Sequence, residues 1–242
     1  MKNNRDRTGI IVPFLLLGLF VLTACTKKTQ SMSSTPLPQP RGGYSFLALG
    51  DSYTIGEGVT EKERFPFLTA ELLQKENIRI TELRYIATTG WSTIALQSAI
   101  QQQQFTKSYD IVTLLIGVND QYQRLDTAGY RQRFGQLLFR AIELAGNRKG
   151  RVFVLSIPDY SFTPFVSEPQ KERVRTEIDA FNRINKEITL GQGVQHVEIT
   201  SSTREAINDP GLLASDKLHY SGKEHLRWAA LLVPVIKDAL KE

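Results

Sequence analysis

The chain has 242 residues, a formal net charge of +5 and an apolar content of 41%. This is ordinary globular composition, and it excludes a disordered chain and a collagen-like repeat. A single cysteine cannot form an internal disulfide, so a disulfide scaffold is excluded and stability must come from a buried core. The length predicts one large domain with an appendage.

The first 24 residues have the layout of a secretory signal. Lys2, Arg5 and Arg7 precede an apolar run at 9–22, and small residues follow it up to Cys25. The run is shorter than the roughly 20 residues that span a bilayer as a helix, so a permanent transmembrane helix is the weaker interpretation. The ending Leu-Thr-Ala-Cys resembles the signal of bacterial lipoproteins, in which the cysteine is lipidated and becomes the first residue of the mature chain. The alternative is an ordinary signal peptide with an incidental cysteine.

Lipidation of Cys25 would hold the exported protein on a membrane of the bacterial cell envelope. The next residue is Thr26 rather than the Asp that resembles an inner-membrane retention signal, which favours the outer membrane or the periplasmic face. Residues 25–43 are rich in serine and proline and predict a semi-extended tether, so the folded domain is expected at 44–242.

Removal of residues 1–24 lowers the formal net charge from +5 to +3, because three basic residues and one acidic residue leave with the signal. The remaining basic residues are scattered among acidic ones. Nucleic-acid binding requires a clustered basic face, so a nucleic-acid partner is not expected.

Short apolar runs in the rest of the chain predict five strands. Three of them read as buried parallel strands, at 44–50, 110–117 and 151–157. Two less uniformly apolar runs fit strands nearer the sheet edges, at 79–87 and 194–199.

Helical periods separate these strands. Apolar residues repeat at helix spacing in 134–145 and 174–188, Pro66 can open a shorter helix, and Ser92 can cap another. The last helix begins with a capping-box pattern at 221–224. Strands that alternate with helices imply an α/β fold, a three-layer α/β/α sandwich with a mostly parallel five-stranded sheet. Ligands of such folds lie at the carboxyl ends of the strands.

Four short motifs fall at this edge of the predicted sheet. Gly-Asp-Ser52 follows the first strand, Thr-Gly90 the second and Gly-Val-Asn119 the third, while Asp216-Lys-Leu-His219 lies late in the chain. A serine hydroxyl is a poor nucleophile until a base takes its proton. A turn from Asp216 to His219 can bring the carboxylate to the imidazole Nδ1 and leave Nε2 to accept the proton of Ser52.

Attack on an ester carbonyl also creates an oxyanion, which needs hydrogen-bond donors fixed in advance. The backbone N–H groups of Ser52 and Gly90 and the side-chain amide of Asn119 are the candidate donors. The other histidines, His196 in a strand pattern and His225 on the last helix, are predicted to be structural. No group of residues has metal-ligand spacing, so no metal or other cofactor is expected.

Two acidic residues and two aromatic segments stand beside these motifs. Asp51 and Asp120 are predicted to hold backbone N–H groups of their turns rather than to act as acids. An aromatic loop at 158–165 either walls an acyl pocket or packs against the domain, and Trp91 has the same two interpretations.

The four motifs, in this order, resemble those of the SGNH hydrolases, also called the GDSL esterase/lipase superfamily. The signature residues of that family fall here on Ser52, Gly90, Asn119 and His219, with Asp216 as the third triad member, over roughly residues 44–221. The resemblance implies a flavodoxin-like SGNH hydrolase fold, a Ser-His-Asp triad and an oxyanion hole of Ser52, Gly90 and Asn119. It implies hydrolysis of carboxylic esters through an acyl-enzyme.

The expected substrate is a small acyl ester or an acylated glycan or lipid, and the expected state is a monomer. The same site leaves carbohydrate deacetylation, thioester cleavage and acyl transfer open, because these reactions share the triad chemistry. A different class is a surface binding lipoprotein that keeps the scaffold without turnover.

Overall fold

The structure is a computed structural model, and it describes residues 42–241. The predicted signal at 1–24, Cys25 and nearly all of the tether predicted at 25–43 lie outside these residues. Within them, no helix is both long and apolar enough to cross a membrane.

The described residues form a five-stranded sheet in which every neighbouring pair of strands is parallel. The spatial order is β2-β1-β3-β4-β5. The strands are β1 (Tyr44–Gly50), β2 (Ile80–Ala87), β3 (Ile111–Leu115), β4 (Val152–Leu155) and β5 (Gln195–Val197). All residues of β3 and β4 are buried, as their continuous apolar runs predict, and β2 and β5 lie at the edges of the sheet. The predicted fold class is therefore confirmed.

Helices cover both faces of this sheet. They are α1 (Ser52–Ile55), α2 (Phe65–Lys75), α3 (Thr93–Gln101), α4 (Val118–Tyr122), α5 (Thr127–Leu144), α6 (Glu168–Gly191), α7 (Thr200–Thr203) and α8 (Gly222–Ala239). The helix α2 packs against α8, and α5 packs against both α3 and α6. The apolar faces of α5 and α6 predicted from helix spacing are buried.

The three strands at the centre of the candidate site end at the same level. Gly50, the last residue of β1, lies opposite Ala87 of β2 and Leu115 of β3. A side chain at Gly50 would come within 2.1 Å of the Thr54 hydroxyl and 2.5 Å of the Leu115 carbonyl oxygen. Only glycine allows the chain to turn from β1 into α1 at this close approach.

The capping box predicted at the start of α8 is wrong. The Ser221 hydroxyl donates to the carbonyl oxygen of Gly211 at 2.7 Å instead of binding the helix backbone. Glu224 points inward and is fully buried, where its carboxylate accepts hydrogen bonds from Trp228 Nε1 at 2.9 Å and from the Ser202 hydroxyl at 2.5 Å. A buried carboxylate needs such donors, and these contacts outweigh a local cap.

His225 fixes the start of α2 against α8, which is the structural role predicted for it. Its Nδ1 accepts the backbone N–H of Phe65 at 3.1 Å, and its ring stacks on that phenylalanine with centroids 6.2 Å apart. Burial lowers the pKa of His225 to about 3. The imidazole is therefore neutral in the folded protein over most of the pH range.

We expect His225 to make folding stability fall as the pH drops below about 6.5. An unfolded histidine binds a proton near pH 6.5, whereas His225 in the folded protein binds one only near pH 3. Between these values protons favour the unfolded chain, by about 1.4 kcal/mol per pH unit. Denaturant unfolding of the wild type and of His225→Gln at pH 4 to 7 measures the effect.

The informative quantity is the difference between the two unfolding free energies. Burial raises the pKa of Asp51 to about 8, which gives a slope of opposite sign in both proteins and cancels in the difference. The advantage of the wild type over His225→Gln should shrink as the pH falls from 6 to 4. Parallel curves would show that His225 is not the neutral buried group described here.

Candidate active site

Asp216 and His219 lie in a tight hairpin between β5 and α8. Leu213 and Tyr220 form an antiparallel bridge, which brings the two ends of this segment together. The His219 Nδ1 lies 2.6 Å from Asp216 Oδ2. The other carboxylate oxygen, Oδ1, accepts the backbone N–H groups of Leu218 at 3.0 Å and His219 at 2.9 Å. The Asp-x-x-His spacing thus brings the Asp216 carboxylate to the imidazole Nδ1, as the sequence predicts.

The electrostatics of this pair fix the orientation of the imidazole. Partial burial alone would raise the pKa of Asp216, but the hydrogen bonds from the His219 ring and from the two backbone amides outweigh burial and lower it. Asp216 is therefore ionised at neutral pH and accepts a hydrogen bond from the N–H of His219 Nδ1. Nε2 is left as the hydrogen-bond acceptor.

Ser52 is the first residue of α1, directly after the end of β1. The Oδ1 atom of the Asp51 carboxyl group beside it accepts the backbone N–H of Tyr53 at 3.1 Å, which confirms the prediction that Asp51 holds its own turn. Burial raises the pKa of Asp51 to about 8. Ser52 itself is 5% exposed.

Gly90 lies in the loop after β2 and has a φ of +82°, which favours glycine. A side chain here would meet no atom within 4 Å, so the backbone of Gly90 faces open space. The Gly90 carbonyl oxygen accepts from Gln123 Nε2 at 3.2 Å, and the Trp91 carbonyl oxygen accepts from Asn119 Nδ2 at 3.0 Å. The loops after β2 and β3 are thereby joined, and one of the two amide hydrogens of Asn119 is left for a ligand.

Asp120 makes a second connection between these loops. Its buried carboxylate accepts from the Thr93 backbone N–H at 2.7 Å and from the Thr93 hydroxyl at 2.5 Å. Arg133 of α5 donates to the same carboxylate at 3.2 Å and to the Thr93 hydroxyl at 2.8 Å. Asp120 therefore joins the start of α3 to α5, and the prediction that it holds backbone N–H groups of its own turn is wrong. It also replaces the side-chain cap expected from Ser92, which precedes α3 but makes no capping hydrogen bond.

The candidate residues of all four motifs line one cavity of about 160 Å³. Ser52, Gly90, Asn119 and His219 contribute to its wall, and Asp216 lies behind His219. Within residues 42–241 no hydrogen bond joins the Ser52 hydroxyl to the His219 ring. Such contacts commonly tighten only when substrate binds. The arrangement presents a hydroxyl, a base and amide donors to one small space, which is what acyl transfer requires.

Three aromatic rings form the far wall of this cavity, from Tyr122, Tyr160 and Phe165. Their centroids are 6.3 to 6.4 Å apart in each pair. Tyr160 is buried and donates its hydroxyl to Gln121 at 2.8 Å, whereas Tyr122 and Phe165 are 58% and 48% exposed. The loop at 158–165 thus both packs against the domain and walls the cavity. Tyr122, the last residue of α4 and three residues after Asn119, is missed by the sequence patterns.

Trp91 and a larger cavity lie apart from this wall. Trp91 is partly buried, packs against the core and does not line the 160 Å³ cavity. A cavity of about 480 Å³ lies beside α6 and β5 and contains none of the four motifs. We place the candidate site in the smaller cavity because the candidate nucleophile, base and amide donors meet there. Within residues 42–241 no three His, Cys, Asp or Glu side chains are grouped to hold a metal ion.

Comparison with known families gives one match. The profile of the GDSL-like lipase/acylhydrolase family matches residues 48–225, which is more than half of the chain and includes all four motifs. Most of α8 lies beyond the match. A search of curated protein sequences gives no significant match.

Solved structures give many matches, of which three are representative. A lipase/acylhydrolase from Enterococcus faecalis has 18% identity and a TM-score of 0.65, with 81% of this chain and 96% of that chain covered. An acetyl xylan esterase from Geobacillus stearothermophilus has 18% identity and a TM-score of 0.61, with 84% and 97% covered. Phospholipase A1 from Streptomyces albidoflavus has 16% identity and a TM-score of 0.62, with 81% and 99% covered. At these identities the likeness establishes the fold.

Proposed function

Because the chain belongs to the GDSL-like lipase/acylhydrolase family, we propose that it is a serine hydrolase of carboxylic esters. The observation that carries the proposal is the convergence of Ser52, Gly90, Asn119 and the Asp216–His219 pair on one cavity. These residues supply a nucleophile, a base with an ionised partner and uncharged donors.

In the acylation half-reaction, the Ser52 hydroxyl oxygen attacks the ester carbonyl carbon while His219 Nε2 takes its proton. The carbonyl oxygen becomes an oxyanion, which accepts hydrogen bonds from the backbone N–H groups of Ser52 and Gly90 and from Asn119 Nδ2. The Asp216 carboxylate stabilises the imidazolium that forms. The C–O bond to the alcohol then breaks, the alcohol takes the proton from His219, and the acyl group stays on Ser52.

In the second half-reaction, water attacks the acyl-enzyme. His219 takes a proton from the water and returns one to Ser52 as the acid leaves. The same donors hold the second oxyanion. Asp216 keeps its negative charge throughout, because the hydrogen bonds that lower its pKa are present in the folded protein before substrate arrives.

Removal of acetyl groups from a glycan is the second candidate. Tyr122 and Phe165 present exposed rings at the wall of the cavity, and aromatic faces of this kind suit the apolar face of a sugar. Two structural neighbours, one of them the Geobacillus enzyme, are named acetyl xylan esterases. Thioester cleavage and acyl transfer use the same triad, so thioester substrates identify the first and added acceptor alcohols identify the second.

Replacement of Ser52 tests the proposal. Ser52→Ala should lower kcat on short p-nitrophenyl esters by at least about a thousandfold, since the nucleophile is lost. The matched control is Ser98→Ala on the exposed face of α3, which should keep wild-type activity. Undiminished hydrolysis by a folded Ser52→Ala protein would contradict the assignment of Ser52 as the nucleophile. A wild-type protein that is folded but not labelled by a fluorophosphonate favours the non-catalytic binding lipoprotein instead.

Replacement of Asp216 tests the role of the hydrogen-bonded Asp216–His219 pair. Asp216→Asn keeps the shape of the side chain but removes the charge and favours the wrong imidazole tautomer, so kcat should fall about 10³- to 10⁴-fold. Asp209→Asn is the control, because Asp209 is also a carboxylate of this region and bonds Lys223 at 2.6 Å. Steady-state kinetics on the same ester should show an unaltered control. An equal, small effect of both substitutions argues against the triad.

We also propose that the protein is anchored to the cell envelope through a lipid on Cys25, from the signal-like residues before it. In the full chain expressed in a bacterium, Cys25→Ser should abolish incorporation of radiolabelled palmitate and move the esterase activity from the membrane fraction to the soluble fraction. Palmitate label that survives in Cys25→Ser would contradict the anchor.

A further inference from the structure

A second cavity, of about 320 Å³, shares its wall with the candidate active site. The rings of Tyr122, Tyr160 and Phe165 line both cavities. A ligand that lies across the exposed edges of Tyr122 and Phe165 can therefore occupy the two cavities at once.

The charge of the second cavity is one-sided. The polar residues that line it are Arg124, Arg173, Gln121, Gln170 and the two tyrosines, and no acidic residue is among them. The 480 Å³ cavity differs, because it mixes three acidic with three cationic side chains. Guanidinium and amide groups are donors that suit anionic oxygen atoms.

The acidic residue that bonds two residues of this lining, Glu177, is already engaged. Glu177 accepts from Arg173 at 3.2 Å and from Gln121 Nε2 at 2.6 Å, and it lies outside the lining of the second cavity. Arg124 has no ion pair within residues 42–241, so its charge is available to a ligand. The charge of Arg173 is partly offset by Glu177, which makes Arg124 the stronger candidate.

The backbone places Arg124 at this position. Arg124 has a φ of +58°, a left-handed conformation that is uncommon for a residue other than glycine, asparagine or aspartate. Its N–H donates to the Gln121 carbonyl oxygen at 2.9 Å, and the next N–H, of Leu125, donates to the Asp120 carbonyl oxygen at 2.8 Å. Asp120 also joins the loops of the candidate site through its side chain. The turn that carries Arg124 is therefore attached to those loops through Asp120.

We propose that this second cavity binds an anionic group, a phosphate or a carboxylate, on the ester substrate whose carbonyl lies at Ser52. The inference rests on the proposed function and narrows the substrate to esters that carry a negative charge beyond the aromatic wall. Arginine holds such groups through two parallel N–H donors. Arg124 is then a specificity-determining residue.

The test compares matched neutral and anionic esters. One pair is a butyryl glycerol and the corresponding butyryl glycerol phosphate, and the other is an acetylated methyl glucoside and the corresponding acetylated methyl glucuronate. For each pair the ratio of kcat/KM, anionic over neutral, is measured for the wild type, Arg124→Asn, Arg124→Lys and Arg140→Gln. Asparagine tolerates the left-handed turn, so Arg124→Asn removes the charge and keeps the backbone.

The wild type should prefer the anionic member of one pair, and Arg124→Asn should lower that ratio about tenfold, mainly through KM. Arg124→Lys should restore part of the preference. Arg140→Gln, which loses an exposed charge on α5 that pairs with Glu143, should leave the ratio unchanged. A preference confined to the glycerol pair assigns a phosphate, and one confined to the sugar pair assigns a carboxylate. A ratio that Arg124→Asn leaves unchanged in both pairs overturns the inference.

Failure of the proposed function is distinguishable from failure of this inference. If Ser52→Ala hydrolyses the esters as fast as the wild type, or if no ester is hydrolysed, the function fails, and binding of glycerol phosphate and of methyl glucuronate is then measured by calorimetry. Binding of either probe that is weakened about tenfold by Arg124→Asn supports the anionic cavity. Binding of neither, or binding that Arg124→Asn does not change, overturns it.

Discussion

The alignment of three parallel strand ends is the constraint on which the candidate site depends. Gly50 of β1 is level with Ala87 of β2 and Leu115 of β3, so the loops that follow leave the sheet side by side. Ser52 and Asn119 come within four residues of these ends. A parallel sheet thus assembles one site from segments that are almost 70 residues apart in the chain, without any local sequence signal joining them.

Two further sets of contacts turn this alignment into a fixed geometry. The buried Asp120 carboxylate holds Thr93 and Arg133 and so joins the loops after β2 and β3. On the other side, the ring of Tyr53 packs against that of His219 at 5.7 Å and against Trp228 of α8 at 6.3 Å. His219, the candidate base, therefore packs against the core, while the partly exposed Asp216 bonds the Nδ1 edge of its ring. Preorganisation of this kind lets amide donors stabilise charge without rearrangement.

The sequence predicts what depends on local pattern and misses what depends on distant packing. The run at 44–50 becomes β1 without a change of bounds, and the short Asp216 to His219 spacing gives the predicted hydrogen bond between carboxylate and imidazole. The capping box at the start of α8 fails because Trp228 and Ser202 draw Glu224 into the core. The contact from Phe65 to His225 joins residues 160 positions apart. The hydrophobic periodicity of either helix does not predict it. The cavity that contains Arg124 likewise arises only when α4 and α6 pack together.

A crystal structure of the protein after reaction with an alkyl phosphonate ester measures the central claim most directly. The phosphonyl oxygen of such an adduct occupies the position of the oxyanion. We predict a covalent bond from Ser52 Oγ to phosphorus, with that oxygen within about 3.1 Å of Gly90 N and Asn119 Nδ2 and His219 Nε2 facing Ser52. An adduct on another residue, or an oxygen that points away from both donors, would contradict the account.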